Sequence, residues 1–223
     1  MRDQLTVVLP SGPVEVSVAL DLPARPSAAV VIAHGAGAGM DHPFLAGFAD
    51  GLSREGFATL RFTFPYAQAG RRLPGPAGHA LATWQAATSA IGRAVAGVPL
   101  IAAGKSYGGR MASMAAAEGL ITPDALVYLG YPLHPPGRPD KLRADHLPLI
   151  PQPQLFVAGT GDPFIQPRDQ FDAVVDRCQA AEVAWVEDAG HSFEVKGARR
   201  PADEIGLALA APVARWIEDT MSL

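Results

Sequence analysis

"LIAAGKSYGGRMASMAAAEG", residues 100–119, sets one serine between two glycines where two patterns meet. Before it, Leu100 to Ala103 is an apolar run of strand length; after it, Met111 to Ala117 is an Ala/Met-rich run with helical character. A tight reversal from strand to helix forces unfavourable backbone angles on the turning residue and crowds its neighbours two positions away. Gly104 and Gly108 occupy those positions and have no Cβ to collide. Gly109 and the alanines behind it let the helix lie close to the sheet. Such a turn holds the Ser106 hydroxyl clear of the sheet, at a helix N-terminus where developing negative charge is favoured. The plainer alternative is a helix cap beside a glycine hinge, because Gly-x-Ser-x-Gly alone is common in loops. Its strand-before, helix-after context gives the pattern its weight.

Outward from this turn the chain alternates. Thr6–Leu9 and Val14–Ala19 flank the turn signal Pro10-Ser11-Gly12-Pro13 and read as an opening antiparallel hairpin. Apolar runs at Ala28–Ala33, Ala58–Phe62, Leu100–Ala103, Ala125–Leu129, Leu155–Ala158 and Val183–Val186 read as strands. Helices are predicted over Phe44–Arg54, Ala80–Val95, Tyr107–Glu118, Arg168–Ala180 and Ala202–Thr220, with a long loop from Thr63 to Gly78. Buried strands alternating with helices predict an α/β fold, a mostly parallel central sheet with helices on both faces and antiparallel N-terminal strands. No repeat or linker divides the chain, so residues 1–223 are expected to form one domain.

In such a sheet, ligands gather at the carboxyl ends of the strands, where Ser106 lies. A serine hydroxyl is a poor nucleophile until a base takes its proton, and the base needs an orienting acid. Later strand ends supply both. Leu155–Ala158 runs into Gly159-Thr160-Gly161-Asp162-Pro163, and Val183–Val186 runs into Glu187-Asp188-Ala189-Gly190-His191. The order Ser106, Asp162, His191 fits a Ser–acid–His triad. Taken singly, Asp162 is readable as a turn cap and His191 as a surface loop residue; their joint placement favours the triad. Glu187 and Asp188 are too near His191 to replace Asp162, though Asp188 is a candidate supporting partner. His34 and His134 lie in loops after strands, while His42, His79 and His146 are expected to face solvent. After Ala28–Ala33 comes His34-Gly35-Ala36-Gly37-Ala38-Gly39, which lacks the lysine and hydroxyl residue of a phosphate-binding loop. Its alternating glycines suit a backbone that passes close to the nucleophile. The N–H groups of Ala36 and Tyr107 are the predicted oxyanion donors.

Composition narrows the setting. Hydrophobic residues make up 48% of the 223 residues and charged residues 18%, enough for a substantial core. A net charge of −4 gives no basic footprint for nucleic acid. No window reaches the length of a membrane span, and the N-terminus has no sustained apolar stretch of a leader. One cysteine, Cys178, rules out an internal disulfide and suits a reducing compartment, so a cytoplasmic location is expected. Histidines are scattered without metal-ligand spacing, and neither metal nor cofactor is predicted.

These residues, "HGAGAG", "GKSYGG", "GTGDPF" and "AGHSF" in this order, resemble the α/β-hydrolase superfamily over essentially the whole chain. "HGAGAGMDHPF", "RFTFPYAQAGRR", "GKSYGGRMAS" and "GYPLHPPGRP" are similar to a small branch related to the testis-expressed-protein-30 group. That branch also resembles the dienelactone hydrolases, which use cysteine where this chain has Ser106. The resemblance implies the α/β-hydrolase fold and a Ser106–Asp162–His191 triad, and little about substrate. The superfamily's lid insertion would fall at Gly130 to Pro153, too short and proline-rich for a cap domain. Phe64, Tyr66, Tyr131, Leu133 and His134 leave strands at the active edge and are the candidate substrate-binding residues; ordinary loop packing is the alternative. Lys105 either favours an anionic substrate or points outward, Arg110 is expected in a structural ion pair, and Arg71-Arg72 is a candidate anion contact. The expected activity is hydrolysis of an ester or thioester of a small to medium acyl group. A catalytically idle binding scaffold and an acyltransferase are the alternatives, and oligomeric state is left open.

Overall fold

A computed structural model describes all of residues 1–223. The chain opens with an antiparallel hairpin, β1 (Arg2–Leu9) and β2 (Gly12–Asp21), turning at Gly12 with φ 111°. Six further strands follow: β3 (Ala29–Ala33), β4 (Ala58–Phe62), β5 (Leu100–Lys105), β6 (Ala125–Leu129), β7 (Gln154–Gly159) and β8 (Ala181–Val186). All join one eight-stranded sheet in the order β1-β2-β4-β3-β5-β6-β7-β8. β2 pairs antiparallel with β4, and every neighbouring pair from β4 to β8 is parallel.

Helices α1 (Pro43–Arg54), α2 (Pro65–Gln68), α3 (Ala77–Ala94), α4 (Tyr107–Ala117), α5 (Arg168–Val175) and α6 (Ala202–Met221) complete the fold. Strand side chains alternate between faces, so the central strands, buried on both sides, feed two cores. Val30 and Ile32 of β3 join the core formed with α1 and α6, whereas Val31 and Ala33 join the core formed with α3 and α4, to which α5 also contributes. α1 and α6 touch backbone to backbone. A Cβ on Gly47 would strike the backbone of Asp203, and one on Gly206 would strike that of Phe44. No helix is long and apolar enough to cross a membrane.

Some elements differ from expectation. The hairpin is longer than its apolar core because Arg2, Asp3 and Gln4 continue the register with exposed side chains. The loop after β4 holds the one-turn α2, too short for any periodicity to reveal. α5 stops at Val175, since Asp176, Arg177 and Gln179 offer no apolar face to extend it. Between Gly130 and Pro153 the only helical element is a 3-10 turn at Leu147–Leu149, so no cap domain covers the sheet edge.

Candidate active site

The turn after β5 is packed against its own backbone. Ser106 sits at φ 50°, ψ −114°, a conformation few residues with a side chain adopt. A Cβ on Gly104 would run into Gly108 and Gly109, and one on Gly108 would lie 2.7 Å from the carbonyl oxygens of both Ala33 and His34. α4 therefore rests directly on β5 and the end of β3. Ser106 projects from the carboxyl edge of the sheet.

Further loops from the same edge reach the hydroxyl. A Cβ on Gly159, at the end of β7, would collide with the Ala189 carbonyl, so the turn carrying Asp162 lies against the loop carrying His191. Asp162 is fully buried. Its Oδ1 accepts the Phe164 N–H at 2.8 Å and its Oδ2 lies 2.7 Å from His191 Nδ1, while His191 Nε2 lies 2.8 Å from Ser106 Oγ. With the ring proton on Nδ1, the hydroxyl donates to Nε2 and Nδ1 donates to the carboxylate. The imidazole stacks on Phe164, ring centroids 4.0 Å apart, and the His191 carbonyl accepts from Lys105 Nζ at 2.8 Å. Burial above all pushes the His191 pKa down; the hydrogen bond to Asp162 opposes that and the Lys105 charge adds to it. Burial pushes Lys105 down to about 8, with Asp162 acting the other way. A neutral imidazole bonded to a hydroxyl is placed to take its proton.

The glycine-rich loop after β3 is held from below. His34 is fully buried; its Nδ1–H donates to the Gly35 carbonyl at 2.8 Å and its Nε2 accepts the Phe64 N–H at 3.0 Å. Burial pushes its pKa down to about 4, so the ring stays neutral near pH 7 and keeps both bonds. The sequence singled out this histidine only by position, not as a clamp on the loop. A Cβ on Gly35 would lie 3.6 Å from Ser106 Cβ. Ala36 and Tyr107 face the same cavity as Ser106, and neither of their N–H groups donates to a protein acceptor.

A family model described as "Alpha/beta hydrolase domain" matches residues 26–217. The chain belongs to this alpha/beta hydrolase family. Solved structures with the same fold include an alpha-beta serine hydrolase homologue from Coxiella burnetii, with TM-score 0.74 at 18% identity over 96% of this chain and 97% of that one. A dienelactone hydrolase from Anabaena variabilis superposes with TM-score 0.75 at 23% identity, covering 98% and 97% of the two chains. A serine hydrolase without a lid from Xanthomonas campestris gives TM-score 0.71 at 22% identity, covering 96% and 94%. The family resemblance and the fold inferred from the sequence both hold.

In this alpha/beta hydrolase a cavity of about 620 Å³ opens over Ser106. Phe44 and Leu45 of α1 with Ala202 and Ile205 of α6 form one wall, on their face of the sheet. Across the edge stand Arg110 of α4 and, from the connection after β6, Pro132 and Arg143. Phe164 and His191, stacked on each other, also line the cavity. Phe164 stands two residues after Asp162 in "GDPF", and that proximity was its available signal. Phe44 and Ile205 gave none, because their helices meet only in the folded chain.

The residues expected to bind substrate are not on the cavity walls. Phe64, Tyr131, Leu133 and His134 are fully buried in the core beneath it, and Tyr66 nearly so. Tyr131 packs on Tyr128 and Phe156, and its hydroxyl donates to the Arg143 carbonyl at 3.1 Å. Phe64 packs edge-on to Phe62 and Tyr107, and the Tyr66 hydroxyl donates to Gly35 at 3.4 Å. His134 turns back to the Pro135 carbonyl at 2.8 Å. These side chains build the platform under the loops rather than the pocket above them. His146 is half-buried, not solvent-facing, 2.7 Å from Ser113 Oγ. Burial and the Arg110 charge push it down to about 4. Asp188 is exposed, and its backbone N–H donates to Thr160 Oγ1 at 2.9 Å. Arg71 and Arg72 are exposed off the cavity, Lys105 points inward, and Arg110 makes no ion pair. No His, Cys, Asp and Glu side chains gather as a metal-binding cluster.

Proposed function

We propose that the protein is a serine hydrolase that cleaves an ester or thioester of a small to medium acyl group with Ser106, His191 and Asp162. The observation that carries this reading is the unbroken line from Ser106 Oγ to His191 Nε2 at 2.8 Å and from His191 Nδ1 to Asp162 Oδ2 at 2.7 Å, set at an open cavity. As Oγ attacks the carbonyl carbon, Nε2 takes the hydroxyl proton. Asp162 keeps the tautomer and balances the charge of the imidazolium. The carbonyl oxygen becomes an oxyanion and accepts from the N–H groups of Ala36 and Tyr107. Losing one such donor costs on the order of 3 kcal/mol in the transition state. The imidazolium then protonates the departing oxygen or sulfur, leaving Ser106 acylated. Water deprotonated by His191 attacks the acyl-enzyme, releases the acid and restores the serine.

Residues 1–223 act as one domain in this reading, on a small-molecule substrate and with protein groups alone. A cytoplasmic setting accords with the lone Cys178, whose thiol burial pushes up to about 11 and keeps protonated. Turnover of a panel of aryl esters and acyl thioesters tests the activity, with the acyl-enzyme trapped by rapid quench and mass spectrometry. Wild type hydrolyses members of the panel, and Ser106→Ala lowers kcat by about 10⁴-fold or more. Equal turnover by the two proteins contradicts the reading.

A further inference from the structure

The two walls of the cavity differ in charge. The α1/α6 wall is apolar, whereas the wall across the sheet edge presents Arg110 and Arg143. Arg110 stands one helical turn beyond Ser106, its N–H donating to the Ser106 carbonyl at 3.0 Å. Its Nε is buried and has no hydrogen-bond partner. The protein's ion-paired arginines are Arg2, Arg54, Arg61, Arg138, Arg168 and Arg200; neither Arg110 nor Arg143 is among them. Lys105, the other cation on the cavity, is engaged with the His191 carbonyl, and the one carboxylate there, Glu194, is exposed on the His191 loop.

Both guanidiniums are carried on fixed backbone. The Arg110 carbonyl accepts from Ser113 Oγ at 2.8 Å. The Arg143 N–H donates to Leu133 at 2.8 Å, and the Arg143 carbonyl accepts from Tyr131 at 3.1 Å. Placing like charges together without a counterion costs energy, and leaving a buried donor unpaired costs more. Loss of water and the nearby Arg110 charge both hold Arg143 below its ordinary range. An anion between the two forks relieves every one of these costs at once, because guanidinium donors match carboxylate and phosphate oxygens in pairs.

We propose that Arg110 and Arg143 form an anion subsite, and that the substrate is an ester or thioester with an anionic half on that wall and an apolar half against Phe44, Leu45 and Ile205. This rests on the hydrolase reading and narrows its substrate class. The anion is a carboxylate or a phosphate.

Matched ester pairs test it. Phenyl hydrogen hexanedioate is compared with phenyl methyl hexanedioate for the acyl half, and 4-carboxyphenyl hexanoate with its methyl ester for the leaving half. A phenyl 6-phosphonooxyhexanoate separates phosphate from carboxylate. The anionic member of at least one pair is favoured in kcat/KM by about tenfold or more, the size of one charge-assisted hydrogen bond. Arg110→Met and Arg143→Met each collapse that ratio towards one, and the exposed Arg143 keeps the test valid if Arg110→Met folds poorly. Equal rates within every pair, or a preference untouched by both substitutions, overturn the proposal while leaving the hydrolase reading intact. Calorimetry on Ser106→Ala supplies a readout without turnover. Hexanedioate binding over hexanoate, lost in Arg143→Met, upholds the subsite even if no ester is cleaved. With no cleavage and no such binding, both fall.

Discussion

The turn at Gly104–Gly109 and the connection Gly130–Pro153 leave neighbouring strands at the same sheet edge, yet opposite constraints shape them. In the turn, backbone meets backbone: Gly104 against Gly109, Gly108 against the end of β3. Only glycine fits, so the constraint is written in residue type. In the connection, distant partners set side-chain direction. Tyr131 is claimed by Tyr128, Phe156 and Ser113, and Leu133 by the larger hydrophobic core. Steric necessity leaves a local signature, and packing direction does not.

The sharpest separation between the two regions lies in the chemistry. Asp162→Asn keeps a carbonyl oxygen for the Phe164 N–H but loses the acceptor that fixes the His191 tautomer. It should lower kcat on the order of 10³- to 10⁴-fold with the fold intact by circular dichroism. Full activity would break the account of the site.

Next come the opposed stability costs. Gly104→Ala drives a Cβ into backbone that has no room to yield, so denaturant unfolding should show a loss of about 3 kcal/mol or more. Leu133→Ala empties a fully buried site and should cost about 2–4 kcal/mol, yet leave KM where it is, because Leu133 does not reach the cavity. A rise in KM without loss of stability would return Leu133 to the pocket wall.

The smallest effect is in pH. In the proposed mechanism the neutral imidazole is the base, so activity should fall as pH drops through the His191 pKa. Burial and Lys105 hold that pKa below its ordinary value of 6.5, and the acid limb of kcat/KM should sit below that value too. Lys105→Met removes a positive neighbour and should move the limb upward; a limb unmoved by the substitution would deny Lys105 that influence.

Reading the chain without its fold anticipated position where geometry demands particular residues at strand ends. The alternation gave the parallel sheet, and Ser106, Asp162 and His191 each follow a strand whose carboxyl end the sheet brings to one edge. It failed where aromatic side chains leave the same edge but fold under it. Tyr131 and Phe64 look alike in sequence whether they face the pocket or the core. The real apolar wall comes from α1 and α6, which are far apart in the chain and joined through Gly47 and Gly206. Arg110 was visible beside the serine, but its missing counterion is a property of the folded neighbourhood alone.

The central claim is that Ser106 is an activated nucleophile. Treating wild type, Ser106→Ala and Asp162→Asn with a fluorophosphonate and reading the modified residue by mass spectrometry tests it most directly. The account predicts one adduct, on Ser106, formed rapidly in wild type, slowly in Asp162→Asn and not at all in Ser106→Ala. A folded wild-type protein left unlabelled, or labelled elsewhere, would contradict it.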